Sequence, residues 1–169
     1  MYSIHSATFT DIPLIRQLCL QVWPQTYAPI LPVQQIDYML EWMYSPASLQ
    51  QQMQDGVNYL LLHDDTEQAG FAAIVELGNG KFKLEKIYVL PAWHGKGAGK
   101  ALINHIVELV TAKGANSLQL QVNKQNPAKG FYEKLGFVVK AAAVFDIGNG
   151  FVMDDYIMEL ALPLQKDLR

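Results

Sequence analysis

Three glycines in five residues, Gly95, Gly97 and Gly99, separate a β-branched and aromatic run, Leu84 to Leu90 with Pro91 after it, from a long helical pattern. A strand–turn–helix junction of this kind gathers unpaired backbone N–H groups, and the helix dipole turns its positive end toward the turn, so an anion can sit there. Glycine keeps Cβ atoms from holding a bulky phosphate away from the main chain. Leu84 to Ala101 therefore reads as a pyrophosphate cradle, or more plainly as a tight strand-to-helix turn. Two familiar phosphate loops do not fit. A P-loop puts four residues between its glycine and Gly-Lys and then needs a hydroxyl for magnesium; Lys96, Gly97 and Ala98 alone lie between Gly95 and Gly99-Lys100, and Ala101 has no hydroxyl. A dinucleotide fingerprint wants glycine where Lys100 stands. The spacing that fits is x-x-Gly-x-Gly, read from Gly95 to Gly99 behind His94.

A second dense stretch runs Asn126-Pro127-Ala128-Lys129-Gly130-Phe131-Tyr132-Glu133-Lys134-Leu135-Gly136-Phe137. Together the two stretches resemble the GCN5-related N-acetyltransferase superfamily. Its coenzyme A loop is Gln/Arg-x-x-Gly-x-Gly/Ala, and its later motif is Asn-x-x-Ala-x-x-x-Tyr-Glu-Lys-x-Gly-Phe. His94 departs from the first pattern, and Asn126 and Tyr132 stand one residue nearer each other than in the second. Within the superfamily the chain looks most like the bacterial polyamine (spermidine/spermine) acetyltransferases, through Leu84-Glu85-Lys86-Ile87-Tyr88-Val89 and Gln35-Ile36-Asp37-Tyr38.

The resemblance implies acetyl-CoA as cofactor and transfer to an amine within a ternary complex. It assigns the main chain of Ile87, Tyr88 and Val89 to the pantetheine arm, and the amides of Gly95, Lys96, Gly97, Ala98, Gly99 and Lys100 to the pyrophosphate. His94 fills the loop's first position, and Asn126 contacts the coenzyme. Lys96 and Lys100 either meet phosphates or are ordinary solvated charges. Tyr132 would protonate the departing thiolate. A phenol of pKa about 10 can give a proton to a sulfur whose thiol has pKa about 8.5; the bland alternative is packing beside Phe131 and Leu135. Glu85 is the candidate base, because an alkylammonium is almost wholly protonated at neutral pH and must lose a proton before attack. Pairing with Lys83 or Lys86 is its structural alternative.

Positioning these groups requires a mixed α/β domain, expected as a mostly antiparallel twisted sheet of about seven strands with helices on both faces. An opening strand spans Tyr2–Ala7, and a helix follows from Thr10-Asp11 and Pro13. A break from Trp23-Pro24 to Pro32 comes next, then helices through Ile36–Met43 and from Ser45-Pro46. Strands at Asn58–His63, Phe71–Leu77 and Phe82–Val89 are joined by short turns and must be antiparallel neighbours. The helix after the glycines leads by a parallel crossover to Ser117–Val122. Asn126-Pro127 starts another helix, and a hairpin around Gly148-Asn149-Gly150 ends the fold. One domain over residues 1–169 is expected, with a frayed tail from Pro163.

Composition narrows the setting. A net charge of −3 over 169 residues gives no basic field for nucleic acid. No apolar run approaches the ~20 residues of a membrane span, and the N-terminus lacks a signal-peptide pattern. Cys19, the single cysteine, lies on a helical apolar stripe and suits a reducing cytoplasm. His5, His63, His94 and His105 have no metal spacing, so no metal is expected. Acceptor candidates are few: Tyr27 in the proline-rich break, Asp37 and Glu41 one helical turn apart, and Asp154 and Asp155 in the last strand. These could receive a polyamine or another small cation, or they are a solvated helix face and a strand-edge pair. A protein N-terminus, peptide lysine, aminoglycoside or amino acid also stays open, as does a coenzyme-binding regulatory module without turnover. Because many relatives of this kind dimerise, a homodimer is compatible with the resemblance.

Overall fold

In the computed structural model, which describes residues 1–164, chain order gives β1 (Tyr2–Ser6), α1 (Ile12–Tyr27), α2 (Val33–Tyr44), α3 (Pro46–Gln54), β2 (Asn58–Asp64), β3 (Glu67–Gly78) and β4 (Lys81–Val89). There follow α4 (Ala98–Ala112), β5 (Ser117–Asn123), α5 (Ala128–Lys134), β6 (Val138–Gly148) and β7 (Phe151–Ala161). The strands join in the order β1-β2-β3-β4-β5-β7-β6. The ladders β1–β2, β2–β3, β5–β7 and β6–β7 are antiparallel, whereas β4–β5 is parallel with α4 as its crossover. This is the mixed, mostly antiparallel seven-stranded sheet that the motifs implied.

Turn chemistry fixes two of the joints. Asn79-Gly80 and Asn149-Gly150 both hold positive φ at each residue (55° and 75°, 54° and 78°), as the twist-matched two-residue hairpin demands. Ahead of α1 the backbone N–H of Thr8 donates to Asp11 Oδ2 at 2.8 Å, so the helix entry is prepared earlier than Thr10. Asn126 Oδ1 accepts from the Ala128 N–H at 2.9 Å, a turn just ahead of α5, whose N-cap is Pro127 rather than the expected Asn126.

One boundary differs from expectation. The break assigned to Trp23-Pro24 lies instead after Tyr27, and Pro24 is inside α1. Proline there removes one hydrogen bond, to the carbonyl four residues back. That carbonyl belongs to Leu20, which is exposed like Pro24 itself, so water can satisfy it. The buried stripe Val22, Trp23 and Tyr27 keeps the helix going.

The chain packs as two compact units, Met1–Val75 with Glu85–Ile106, and Glu76–Leu84 with the chain from Val107 onward. The core of the first holds Ile15, Leu18, Cys19, Trp23, Tyr44, Leu49, Tyr59 and Phe71; that of the second holds Phe82, Leu84, Leu118, Leu120, Phe137, Met158 and Leu160. Each buried Leu, Ile or Phe side chain contributes ~1.5–3 kcal/mol. No helix among the described residues is long and apolar enough to cross a membrane.

Candidate active site

β4 has two unlike faces. Phe82 and Leu84 are buried, and strand alternation extends their row to Lys86 and Tyr88, leaving Lys83, Glu85, Ile87 and Val89 on the other side. Glu85 is exposed. Lys83 Nζ donates to Gln121 Oε1 at 3.0 Å, and Lys86 Nζ donates to Gln52 Oε1 at 2.8 Å and to Tyr59 OH at 2.6 Å.

The parallel ladder to β5 covers Lys81–Leu84 only, yet β4 continues to Val89. Main-chain groups of Glu85–Val89 on that side thus lie past the end of the ladder, as an added strand or a pantetheine arm requires. The opposite side is taken: the Leu90 N–H donates to the Ala69 carbonyl at 2.8 Å. A Cβ at Gly70 would collide with the Tyr88 carbonyl oxygen, so glycine is what lets β3 approach here. His94 Nε2–H donates to the Val89 carbonyl at 2.8 Å, tying the loop's first residue back to the strand.

Gly95 and Gly97 both sit at positive φ, 75° and 79°, and a Cβ at either would meet nothing within 4 Å. The backbone conformation, more than crowding, calls for glycine at these two positions. The first helical bond of α4 runs from the Ala101 N–H to the Gly97 carbonyl. The N–H groups of Ala98, Gly99 and Lys100 precede it and have no acceptor inside the helix. Lys96 contributes less through its amide, which donates to the Trp93 carbonyl at 3.3 Å, while its own carbonyl accepts from Tyr2 OH at 2.8 Å. A cluster of main-chain donors at the positive end of a helix fits a pyrophosphate.

In the second unit, Tyr132 is buried in α5, with its ring 5.4 Å from Phe131 and 5.8 Å from Phe137. Its carbonyl accepts from the N–H groups of Leu135 and Phe137, closing the helix where Gly136 turns at φ 101°. Asn126 Oδ1 accepts from the Ala128 N–H, which leaves the amide nitrogen as the donor it could offer a ligand.

The acceptor candidates divide. Tyr27 is buried against Trp23 (centroids 4.4 Å apart), with its hydroxyl 3.2 Å from that of Tyr88, so the first unit uses it as a packed corner. Glu41 lies 3.9 Å from Arg16, and Asp37 is exposed. Asp154 pairs with Lys124 at 2.9 Å. Asp155, only 7% exposed, has an Oδ1 that is buried without a hydrogen-bond partner. Burial pushes its carboxyl up to about 6; Asp154 adds to the shift and Lys83 opposes it.

Lys86 is the group that sequence reading passed over. It lies 4.5 Å above the Tyr44 ring and 5.2 Å from that of Tyr59. Burial holds its ammonium down at about 8, against the opposing charge of Glu85. The signal was present, since Lys86 stands in the same alternating row as Phe82 and Leu84. Cys19 is buried and its thiol is pushed up by that burial. No cluster of His, Cys, Asp and Glu among the described residues could hold a metal ion.

Residues 30–160 match the family model described as "Acetyltransferase (GNAT) domain". An uncharacterised N-acetyltransferase of Mycobacterium tuberculosis is 26% identical over 151 residues, covering 88% of this chain and 96% of the relative. The spermidine N(1)-acetyltransferase of Thermoplasma acidophilum is 26% identical over 157 residues, covering 89% and 94%. Among solved structures, the PaiA N-acetyltransferase of Thermoplasma acidophilum in complex with coenzyme A superposes with a TM-score of 0.80 at 24% identity, over 95% of this chain and 99% of that one. A glycine turn at the N-terminus of α4, a strand that outruns its ladder, and a family match across most of the sequence lead to one conclusion: the chain belongs to the GNAT acetyltransferases and is an N-acetyltransferase.

Proposed function

We propose that the whole chain, residues 1–169, acts as one acetyltransferase domain that acetylates a small cationic primary amine, a polyamine or a close relative, in a ternary complex in the cytoplasm. Bound acetyl-CoA supplies an acetyl thioester. In this reading the amides from Gly95 to Lys100 grip the pyrophosphate, with Gly97, Ala98, Gly99 and Lys100 carrying most of the load. Ile87 to Val89 align the arm, and the Val89 N–H faces the carbonyl oxygen as charge develops there. Asn126 adds a side-chain donor.

Glu85 accepts the proton of the acceptor's ammonium, directly or through water, which frees the nitrogen lone pair. The new bond forms from that nitrogen to the acetyl carbon, and the carbon–sulfur bond breaks. Tyr132 OH gives its proton to the departing sulfur, and the second proton shed by the attacking nitrogen passes through water to restore the phenol, leaving a neutral amide and a free thiol. The observation that carries the cationic acceptor is Asp155: a buried carboxylate whose Oδ1 has no partner is costly unless it meets a donor. An ammonium or polyamine N–H is such a donor. Likeness to a spermidine acetyltransferase supports the same reading. Tyr27, Asp37, Glu41 and Asp154 have partners or exposure of their own and make weaker contributions.

The test is thiol release from acetyl-CoA across polyamines, monoamines, amino acids, an aminoglycoside and a peptide with a free N-terminus. Polyamines should give the highest kcat/KM, and Asp155→Asn should raise their KM while leaving the coenzyme KM in place. A peptide-only activity would refute the polyamine acceptor. Coenzyme binding without release against any amine would favour a regulatory module.

A further inference from the structure

A single cross-strand pair reaches both ends of the turn that leads into α4. Tyr2 and Asp64 stand directly opposite each other at the end of the β1–β2 ladder. Asp64 Oδ2 accepts from the Trp93 indole N–H at 3.0 Å, and Tyr2 OH donates to the Lys96 carbonyl at 2.8 Å. Between those two contacts the main chain makes a type II turn. His94 has φ −63° and ψ 137°, Gly95 has φ 75°, and the Lys96 N–H closes the turn on the Trp93 carbonyl at 3.3 Å. The pair therefore ties down the turn's first and last residues. The His94 ring holds the second to the Val89 carbonyl. His94 to Gly97 are all exposed, so burial does little to hold this stretch.

We infer that, on the reading of Gly95 to Lys100 as the pyrophosphate cradle, Tyr2 and Asp64 are positioning residues for that loop: they hold the Lys96–Gly97 peptide in the orientation that offers the Gly97 N–H to the coenzyme. In a trans peptide the carbonyl and the following N–H point in opposite directions. A Lys96 carbonyl held on Tyr2 thus turns the Gly97 N–H away from β1. Without the phenol that peptide is easy to invert, because the rotation changes only ψ of Lys96 and φ of Gly97. Glycine accepts either sign of φ, and Gly97 now sits at 79°. The inverted peptide faces a diphosphate with a carbonyl oxygen in place of a donor. Asp64 acts at the other end, fixing Trp93 so that the turn enters from one direction. A loop tied at two points has fewer conformations to lose when the coenzyme arrives, which strengthens binding without adding a contact to the ligand.

Calorimetric titration with acetyl-CoA and with S-acetylpantetheine, which carries the thioester but no pyrophosphate, tests this. The wild-type chain should bind the truncated thioester about 10²-fold or more weakly. Tyr2→Phe and Trp93→Phe should each weaken acetyl-CoA about 3- to 10-fold, the worth of one hydrogen bond, and leave S-acetylpantetheine and the ligand-free thermal midpoint where they are. Asp64→Asn keeps a side-chain oxygen for the indole and should bind acetyl-CoA like wild type, whereas Asp64→Leu should match Trp93→Phe. A wild-type chain that binds both thioesters alike removes the cradle and the inference with it. If wild type prefers acetyl-CoA but Tyr2→Phe and Trp93→Phe leave that affinity untouched, the cradle stands and the positioning role falls. Affinity lost only in step with the thermal midpoint overturns the role too, because it marks a general contribution to folding.

Discussion

Replacing Lys86 with methionine takes a half-buried charge out of the first unit at nearly constant volume. The ammonium is enclosed by Tyr44, Tyr59 and Gln52, and burial lowers its pKa from 10.5 to about 8. Between those two values the unfolded chain still binds a proton that the folded chain has released. Stability therefore rises with pH across that window, and the cost is fully present below pH 8. That difference costs roughly 3 kcal/mol at pH 7, and linkage reduces this to roughly 1 kcal/mol at pH 9.5.

Methionine also gives up two hydrogen bonds and the ring contacts, each worth ~1 kcal/mol. It strands no partner, however, because Tyr59 OH donates to Gln52 Oε1 at 2.6 Å independently of the lysine. Lys86→Met should thus lie within about 2 kcal/mol of wild type at pH 7, and the difference should move by about 2 kcal/mol in wild type's favour by pH 9.5. Urea unfolding of both proteins at the two pH values, with m-values compared, provides the measurement. A variant that loses several kcal/mol at pH 7, or a difference that does not change with pH, would refute the buried-charge account.

Tyr132→Phe should lower kcat by ~10²-fold with little change in coenzyme affinity by calorimetry, the signature of a lost general acid; an unaltered kcat removes that role. Glu85→Gln should flatten the rising limb of the pH–rate profile, and a limb that stays in place assigns the proton to bulk water or another base. Gly97→Ala forces a Cβ into the left-handed region at φ 79°, a strain of ~1–2 kcal/mol that should weaken acetyl-CoA binding ~5- to 30-fold. Wild-type affinity in that variant would mean the turn can rearrange freely.

Much of the fold was legible because its punctuation is local. Asn-Gly pairs forced the two hairpins, Asn126-Pro127 announced α5, and the glycine cluster marked where β4 ends and α4 begins. The Pro24 boundary misled because proline's effect depends on where the lost bond points. At Leu20 it faces solvent and costs little, which no local rule reports. Similar distance effects hid the roles of Tyr27 and Glu41, whose partners Tyr88 and Arg16 come from other elements.

Lys86 and β6 are complementary cases of what patterning leaves undetermined. Alternation placed Lys86 in the row of Phe82 and Leu84, yet a lysine in such a row usually marks an exposed edge. What buries it is a hydroxyl and an amide from Tyr59 and Gln52, far along the chain. In β6 the inference runs the other way: a valine- and alanine-rich run reads as buried strand, and only the strand order reveals that it lies at the sheet's edge among the described residues. Composition fixes how much a residue gains by burial, whereas topology decides whether the gain is realised within one chain.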